Sequence, residues 1–430
     1  METRHRVVII GGGFGGLSAA LELKRAPVDV TLIDRCNYHL FQPLLYQVAT
    51  GALSPANIAS PLRNILKKQK NTRVLLAEAV DVDVAARKVV LSDGEAPYDT
   101  LVVASGSSHQ YFGHDEWAKF APGLKTIDDA TEMRSRILLA FEAAEREPDP
   151  EKRRMWMTFA IVGAGPTGVE LAGALAEIAK DTLRRDFRTI DPGQTRIVLI
   201  EGGDRVLPAY PPSLSEAAQK MLERLGVTVR TSRVVIGVKE NIVTVKSGEG
   251  MEEFESHTIL WAAGVLASNL GKKIAEKTGA PIDRSGRISV DPDLTVPSHP
   301  EIFVIGDLAA FTHQTGKLLP GVAQTAIQGG TYAGKTIAKR ARGEKRKQKA
   351  FHYFDKGNLA VIGRAAAVAD LNWLRLAGFP AWLIWIFIHL LYIVEFQNRL
   401  LVLIQWAWLY LTYGRSARLI TGKSPLPLDL

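Results

Sequence analysis

Two glycine clusters, each set between an apolar run and a helical pattern, limit what this chain can fold into more than any other feature. The first lies in RVVIIGGGFGGLSAALELK, where Gly11, Gly13 and Gly16 take the spacing G-x-G-x-x-G, with Phe14 and Gly15 inside it. RVVII suits a parallel strand buried on both faces. In such a strand–turn–helix unit the first glycine allows the tight turn, the second lets backbone approach a pyrophosphate, and the third lets helix pack on strand. The anion rests on the helix N-terminus, where unpaired N–H groups and the dipole attract it. VDVTLID (28–34) predicts the next strand and ends in Asp34, 18 positions after Gly16. That is close to the roughly 20 expected for an acid that binds a ribose hydroxyl.

The second cluster repeats the pattern in MWMTFAIVGAGPTGVELAGALAEIAK (155–180), with Gly163, Gly165 and Gly168 around Pro166 and Thr167. RIVLIEGG (196–203) supplies Glu201 at a strand end, 33 positions past Gly168. The longer gap is assigned to the polar insertion KDTLRRDFRTIDPGQT (180–195), which lengthens helix and loop without moving the strand. YDTLVVASGSS (98–108) and HTILWAAGV (257–265) each predict a strand running into a small-residue turn, Ala104-Ser105-Gly106 and Ala263-Gly264. EIFVIGDLAAF (301–311) ends another strand with Gly306-Asp307, a carboxylate suited to a sugar-alcohol hydroxyl. At 430 residues the chain exceeds the roughly 250–300 at which a single core stops growing, so two or three domains are expected.

Composition excludes several alternatives. The single cysteine, Cys36, rules out a disulfide framework, a cysteine-rich zinc site and a CxxC redox pair, and no metal site is predicted. Redox chemistry must come from a bound cofactor. The net charge of +8 is concentrated in KRARGEKRKQK (339–349), seven basic residues against one Glu. This run is either a solvated linker or a patch for anionic lipid head groups, at roughly 1 kcal/mol per basic residue. No aromatic residues interleave with it, so nucleic acid is not expected as a partner. Glycines break the apolar start that would otherwise suggest a secretory signal, and the N-terminus reads as mature and cytoplasmic.

The tail is of another kind. LAGFPAWLIWIFIHLLYIV (376–394) is 19 residues of nearly uninterrupted apolar sequence. That is just short of the roughly 20 needed to span a bilayer core. Pro380, His389 and the polar stretch from Glu395 to Arg399 oppose a span, and LLVLIQWAWLYL (400–411) is too short for one. Five of eight tryptophans lie beyond residue 370: Trp373, Trp382, Trp385, Trp406 and Trp408. Tryptophan favours the bilayer interface. The expectation is two amphipathic helices lying in one leaflet, with a membrane span or a dimer interface as alternatives.

These motifs, together with RCNYHLFQPLLYQVATGALSPANIASPLR (35–63) and GVAQTAIQGG (321–330), resemble two-dinucleotide-binding-domain flavoproteins and, among them, bacterial type II NADH:quinone oxidoreductases, over nearly the whole chain. The resemblance implies an α/β fold of two Rossmann-like domains, the FAD domain carrying the NADH domain as an insert, plus a C-terminal amphipathic helical membrane anchor. The expected boundaries are 1–115 and 266–345 for the FAD domain, 116–265 for the NADH domain and 346–430 for the membrane-associating region. Hydride would pass from NADH to FAD and two electrons on to a ubiquinone or menaquinone, without proton pumping. The enzyme would be a homodimer, peripheral on the cytoplasmic face of the bacterial inner membrane.

The resemblance also implies roles. FAD would be held by the first fingerprint and Asp34, by Arg35 and His39 in the loop that also carries Tyr38 and Pro43, by Val80 and the 104–106 turn, and by Gly306, Asp307, Ala323 and Gln324. NADH would be held by the second fingerprint, Glu170, Glu201, Ala263 and Gly264. Glu201 would favour NADH by bonding the adenosine 2′-hydroxyl and repelling a 2′-phosphate, with Arg205 softening that preference. Gln324 and Gln328, four apart on one helix face, would border the quinone headgroup, unless they only bond backbone. Lys356 would stabilise a developing anion, and Glu170 would orient NADH or relay a proton. Two rival functions are a flavin-dependent NAD(P)H reductase of a protein electron carrier, which leaves the apolar tail unexplained, and a membrane-tethered NADH-sensing flavoprotein. Sulfide:quinone and disulfide reductases need paired cysteines that this chain lacks.

Overall fold

The structure, a computed structural model, describes residues 4–248, 250–344 and 349–421. The chain forms two compact units, one of Met1–Leu40, Ala59–Ser108 and Val265–Asp355, the other of Phe41–Ile58, His109–Gly264 and Lys356–Leu430.

The first unit is built on a six-stranded sheet in the order Thr295–Val296, His299–Val304, Thr100–Val103, His5–Ile10, Val28–Asp34, Thr72–Leu76. All neighbours are parallel except the first pair. The central strands are continuous apolar runs because both faces are covered; Val7, Ile9, Leu32, Ile33 and Leu101–Val103 are fully buried. Strand order reverses beside His5–Ile10, between the Val28 and Thr100 strands, the kind of switch point at which open α/β sheets bind ligands. A three-stranded antiparallel sheet, Ala79–Asp83, Lys88–Leu91 and Gly94–Pro97, completes the unit.

The second unit repeats the plan with a four-stranded parallel sheet, Val227–Arg230, Arg196–Ile200, Thr158–Val162 and Thr258–Trp261. The insertion after the second fingerprint helix forms a π turn at Ile178–Thr182 and a single 3-10 turn at Pro192–Gln194, so the strand position is kept. Two differences from the expected boundaries stand out. Residues 41–58 belong to this unit, with the helix Leu45–Ala49 and its buried Leu45, Tyr46, Gln47 and Val48. The C-terminal region is not separate either. Its antiparallel sheet, Asn358–Gly363, Ala366–Asp370 and Arg375–Gly378, covers the second fingerprint helix so closely that a Cβ on Gly173 would lie 1.6 Å from the Ile362 carbonyl oxygen.

The apolar tail forms two helices, Phe379–Tyr392 and Phe396–Thr412. The first starts later than expected because Arg375–Gly378 pairs as an edge strand with Ala366–Asp370. At about 1.5 Å per residue they are roughly 21 and 25 Å long, short of a core of about 30 Å. No helix among the described residues is long and apolar enough to cross a membrane. Phe379, Leu383, Phe387 and Leu391 recur every fourth residue along one exposed face of the first helix, and Leu400, Ile404, Trp408 and Leu411, three or four apart, along the second. The opposite faces are buried: Trp385 lies against Trp406 at 5.2 Å and stacks on His389 at 4.1 Å. His389 is partly buried against Trp385, its ring bonded to the Trp385 carbonyl and its pKa pushed down to about 4 by desolvation.

Of the basic run, residues 345–348 lie outside the described residues. Arg340 is structural: it bonds the Pro300 carbonyl at 2.6 Å and the Asp293 carboxylate at 3.2 Å.

Candidate functional site

The two fingerprints have the same local construction. Gly11 and Gly163 take φ of +99° and +98°, and a Cβ on Gly11 would stand 2.3 Å from the Ala104 carbonyl oxygen, so only glycine fits. The helices Phe14–Glu22 and Pro166–Glu177 begin at Gly13 and Gly165, neither with a side-chain cap, and a Cβ on either glycine would meet nothing within 4 Å. Each cradle therefore has open space over uncapped N–H groups, as a pyrophosphate requires. Phe14, Gly15 and Gly16 form the first helix turn, and Pro166, Thr167 and Gly168 the second.

The acids at the following strand ends also match. Asp34 accepts the Gly12 N–H at 2.5 Å and the Cys36 N–H at 2.7 Å. Glu201 accepts the Ala164 N–H at 2.7 Å and the Gly203 N–H at 2.8 Å. A carboxylate held this way keeps further lone pairs for ribose hydroxyls. Arg205 donates to the Pro208 carbonyl at 3.2 Å and lies 3.7 Å from the exposed Asp204 carboxylate.

Around the first cradle, His39 is buried and bonds the Gly12 carbonyl at 2.9 Å, with Phe14 edge-on at 5.2 Å. Burial lowers its pKa, which the bond to the Gly12 backbone partly opposes. Arg35 directly follows Asp34, and Ala104 continues the sheet by donating to Ile10. Ser105 meets Ser268 at 2.6 Å, the Gly106 carbonyl accepts from Ser268, and Ser107 donates to Asp307 at 2.6 Å beside Gly306. Val80 is exposed at a bulge, its carbonyl bonded to Lys273. The helix Ala323–Ala341 starts without a side-chain cap, and in its first turn Gln324 has a buried Oε1 with no partner.

The two glutamines differ. Gln328 exchanges two hydrogen bonds with the Phe354 backbone, both at 2.9 Å, and so braces that loop, the backbone-bonding alternative left open by the sequence. Lys356 is exposed and donates to the Tyr392 hydroxyl at 2.8 Å.

In the second unit, Trp261 donates to the Ala263 carbonyl at 2.6 Å and so fixes the turn to Gly264. The same unit contains an open cleft that the sequence did not reveal, lined by Tyr46, Gln47, Glu170, Trp385, Trp406 and Arg415 among others. Glu170 is buried here and accepts the Val361 N–H at a long 3.4 Å. Burial raises its pKa to about 8, which the Val361 N–H and the nearby, imperfectly aligned Trp385 indole only partly offset. At neutral pH it is mostly a carboxylic acid. The cleft edge is pinned by Arg415, which bonds Glu177 at 3.0 Å and Thr50 at 2.9 Å. A buried arginine in RSARL, just past an apolar tail, was the available signal. Its partners, far away in sequence, were not visible.

The family described as pyridine nucleotide-disulphide oxidoreductase matches residues 5–330, and the NDH2 C-terminal domain matches residues 356–416. The chain is 47% identical over 426 residues to the type II NADH:quinone oxidoreductase Ndh of Mycobacterium tuberculosis, spanning 98% of this chain and 91% of the relative. It is 49% identical to NdhA of the same organism, spanning 98% and 90%. Among solved structures, NDH2 from Plasmodium falciparum in complex with NADH superposes with a TM-score of 0.88 at 23% identity, covering 96% of this chain and 99% of that one. The sulfide:quinone oxidoreductase of Aquifex aeolicus shares the fold at a TM-score of 0.71 and 16% identity, covering 96% and 92%.

Proposed function

The chain belongs to the pyridine nucleotide-disulphide oxidoreductases and, within them, to the type II NADH:quinone oxidoreductases, and from that premise we propose how its residues divide the work. It is an FAD-dependent enzyme that oxidises NADH and reduces a quinone. Bound FAD supplies the two-electron relay between the two substrates.

The first unit is read as the FAD domain. Its uncapped cradle at Gly13, the Asp34 carboxylate and the unpartnered Gln324 Oε1 fit a dinucleotide carrying a polar flat ring. The second cradle, Glu201 and the Ala263–Gly264 turn are read as the NADH site. The cleft beneath the C-terminal helices is read as the quinone site, and the observation that carries this is Glu170. A buried acid that keeps its proton near neutral pH, among aromatic side chains, suits proton delivery to a quinone oxygen. The balance is NADH + H⁺ + quinone → NAD⁺ + quinol. NADH brings both electrons and one proton, and Glu170 gives the second proton and regains it from solvent.

The exposed apolar faces of the two C-terminal helices support peripheral docking in one leaflet, reached by the quinone from lipid and by NADH from water. A cytoplasmic site on the inner membrane, a homodimer and electron transfer without proton pumping complete the proposal. Steady-state oxidation of NADH by a water-soluble quinone analogue tests it: Glu170→Gln should lower kcat with quinone by about 10²-fold. A variant with wild-type quinone turnover would remove Glu170 and the cleft from the mechanism.

A further inference from the structure

The cleft carries a hydrogen-bond chain whose direction is fixed by chemistry. The Trp406 indole N–H donates to Gln47 Oε1 at 2.7 Å, and Gln47 Nε2 donates to the Tyr46 phenol oxygen at 2.8 Å. The two ends of an amide can usually be exchanged, but an indole nitrogen only donates. Gln47 must therefore turn its oxygen to Trp406 and its NH₂ to Tyr46, and the Tyr46 oxygen must accept. The phenol proton is left to point away from Gln47, and Tyr46 lines the cleft.

A second donor also faces the cleft. Trp385 is 2% exposed and lines the cleft, and its indole N–H lies near the Glu170 carboxyl without a well-aligned bond to it. Gln47 Oε1 is engaged by Trp406, and the two Glu177 oxygens by the Arg364 N–H at 2.5 Å and by Arg415 at 3.0 Å, while Glu170, which keeps its proton, adds a donor of its own. A cleft with a surplus of donors and aromatic walls suits a flat ligand that carries acceptors only. An oxidised quinone headgroup has two carbonyl oxygens and no donor.

We propose that the Tyr46 hydroxyl donates to a carbonyl oxygen of the bound quinone, and that Gln47 and Trp406 are positioning residues that keep its proton aimed into the cleft. This rests on the cleft being the quinone site. Because Trp406 lies on the helix Phe396–Thr412, whose other face carries Ile404 and Trp408, the seating of that helix sets the aim of the Tyr46 proton.

The test uses full-length flavoprotein, saturating NADH and a tail-less benzoquinone analogue, with flavin content as the check on folding. Tyr46→Phe, Gln47→Glu and Trp406→Phe should each raise KM for the quinone roughly three- to tenfold with a smaller change in kcat, the worth of one neutral hydrogen bond. Gln47→Glu acts because the introduced carboxylate takes the phenol proton for itself. Tyr46→Phe combined with Trp406→Phe should be no worse than Tyr46→Phe alone, since both act on the same hydrogen bond to the quinone. An unchanged KM in Tyr46→Phe, or additive effects in the double variant, overturns the inference. If Trp406→Phe does not fold, an unchanged KM in the nearly isosteric Gln47→Glu overturns it equally. Should Glu170→Gln slow quinone reduction while Tyr46→Phe is silent, only this inference falls; should both be silent, the cleft assignment falls with it.

Discussion

The Glu201 carboxylate reaches back 37 positions to accept the Ala164 N–H at 2.7 Å, inside the second glycine fingerprint. Asp34 makes the equivalent bond to Gly12 in the first. The acid is therefore both a brace for the phosphate turn and a charge at the place where a ribose would lie. Glu201→Gln should cut kcat/KM for NADH about tenfold or more and narrow the preference over NADPH, since a bond to a charged group is worth about 1.5–3 kcal/mol. Competing NADH and NADPH titrations measure this. Equal kcat/KM for the two coenzymes in the wild type would contradict the assignment.

Glu170 gives a pH prediction. Burial lifts its pKa from 4.5 to about 8. Between those values the unfolded chain releases a proton that the folded protein retains, so stability is fully present below about pH 4.5 and is lost as pH rises through about 8. The slope is about 1.4 kcal/mol per pH unit for one group. Glu170→Gln removes the titration. Thermal melts from pH 5 to 9 should show the variant gaining on the wild type up to about pH 8 and running parallel beyond it. Curves parallel throughout would mean that the carboxyl is not held neutral.

Gln328 separates bracing from catalysis. Its two bonds to Phe354 are worth about 1 kcal/mol each. Gln328→Ala should lower Tm by a few degrees and leave the quinone KM within about twofold. A large rise in that KM without loss of stability would restore the headgroup role.

Much of this was legible in the sequence where the determinant is local. Gly11–Gly16 and Gly163–Gly168 dictate strand, turn and helix within a few residues, and the acids follow at the next strand end. What depends on contact between distant segments was not legible. Residues 41–58 join the second unit through burial of Tyr46 and Gln47, and Gln47 meets Trp406 359 positions later. Gln324 and Gln328 share one helix face in sequence, but that Phe354 engages one of them depends on the folded chain. The sequence of the tail predicts two amphipathic helices but not which apolar residues face the protein. That its apolar residues divide into a buried face at Trp385 and Trp406 and an exposed one at Leu383 and Ile404 follows from packing.

That exposed face carries the membrane prediction. Ile404 and Phe387 are 56% and 61% exposed, on faces away from the buried tryptophans. Ile404→Asp and Phe387→Asp should each weaken binding to phospholipid vesicles tenfold or more, because inserting one such side chain is worth roughly 1.5–3 kcal/mol. Flotation of the full chain with vesicles measures it. Undiminished flotation in both variants would place the lipid contact elsewhere.

The most direct test of the central claim is a pair of anaerobic half-reactions followed by visible absorbance. Purified protein should be yellow with bound isoalloxazine, bleach rapidly when mixed with one equivalent of NADH, and regain its colour rapidly when quinone is then added. A protein that binds no flavin, or one that NADH bleaches and quinone fails to reoxidise, would contradict the account.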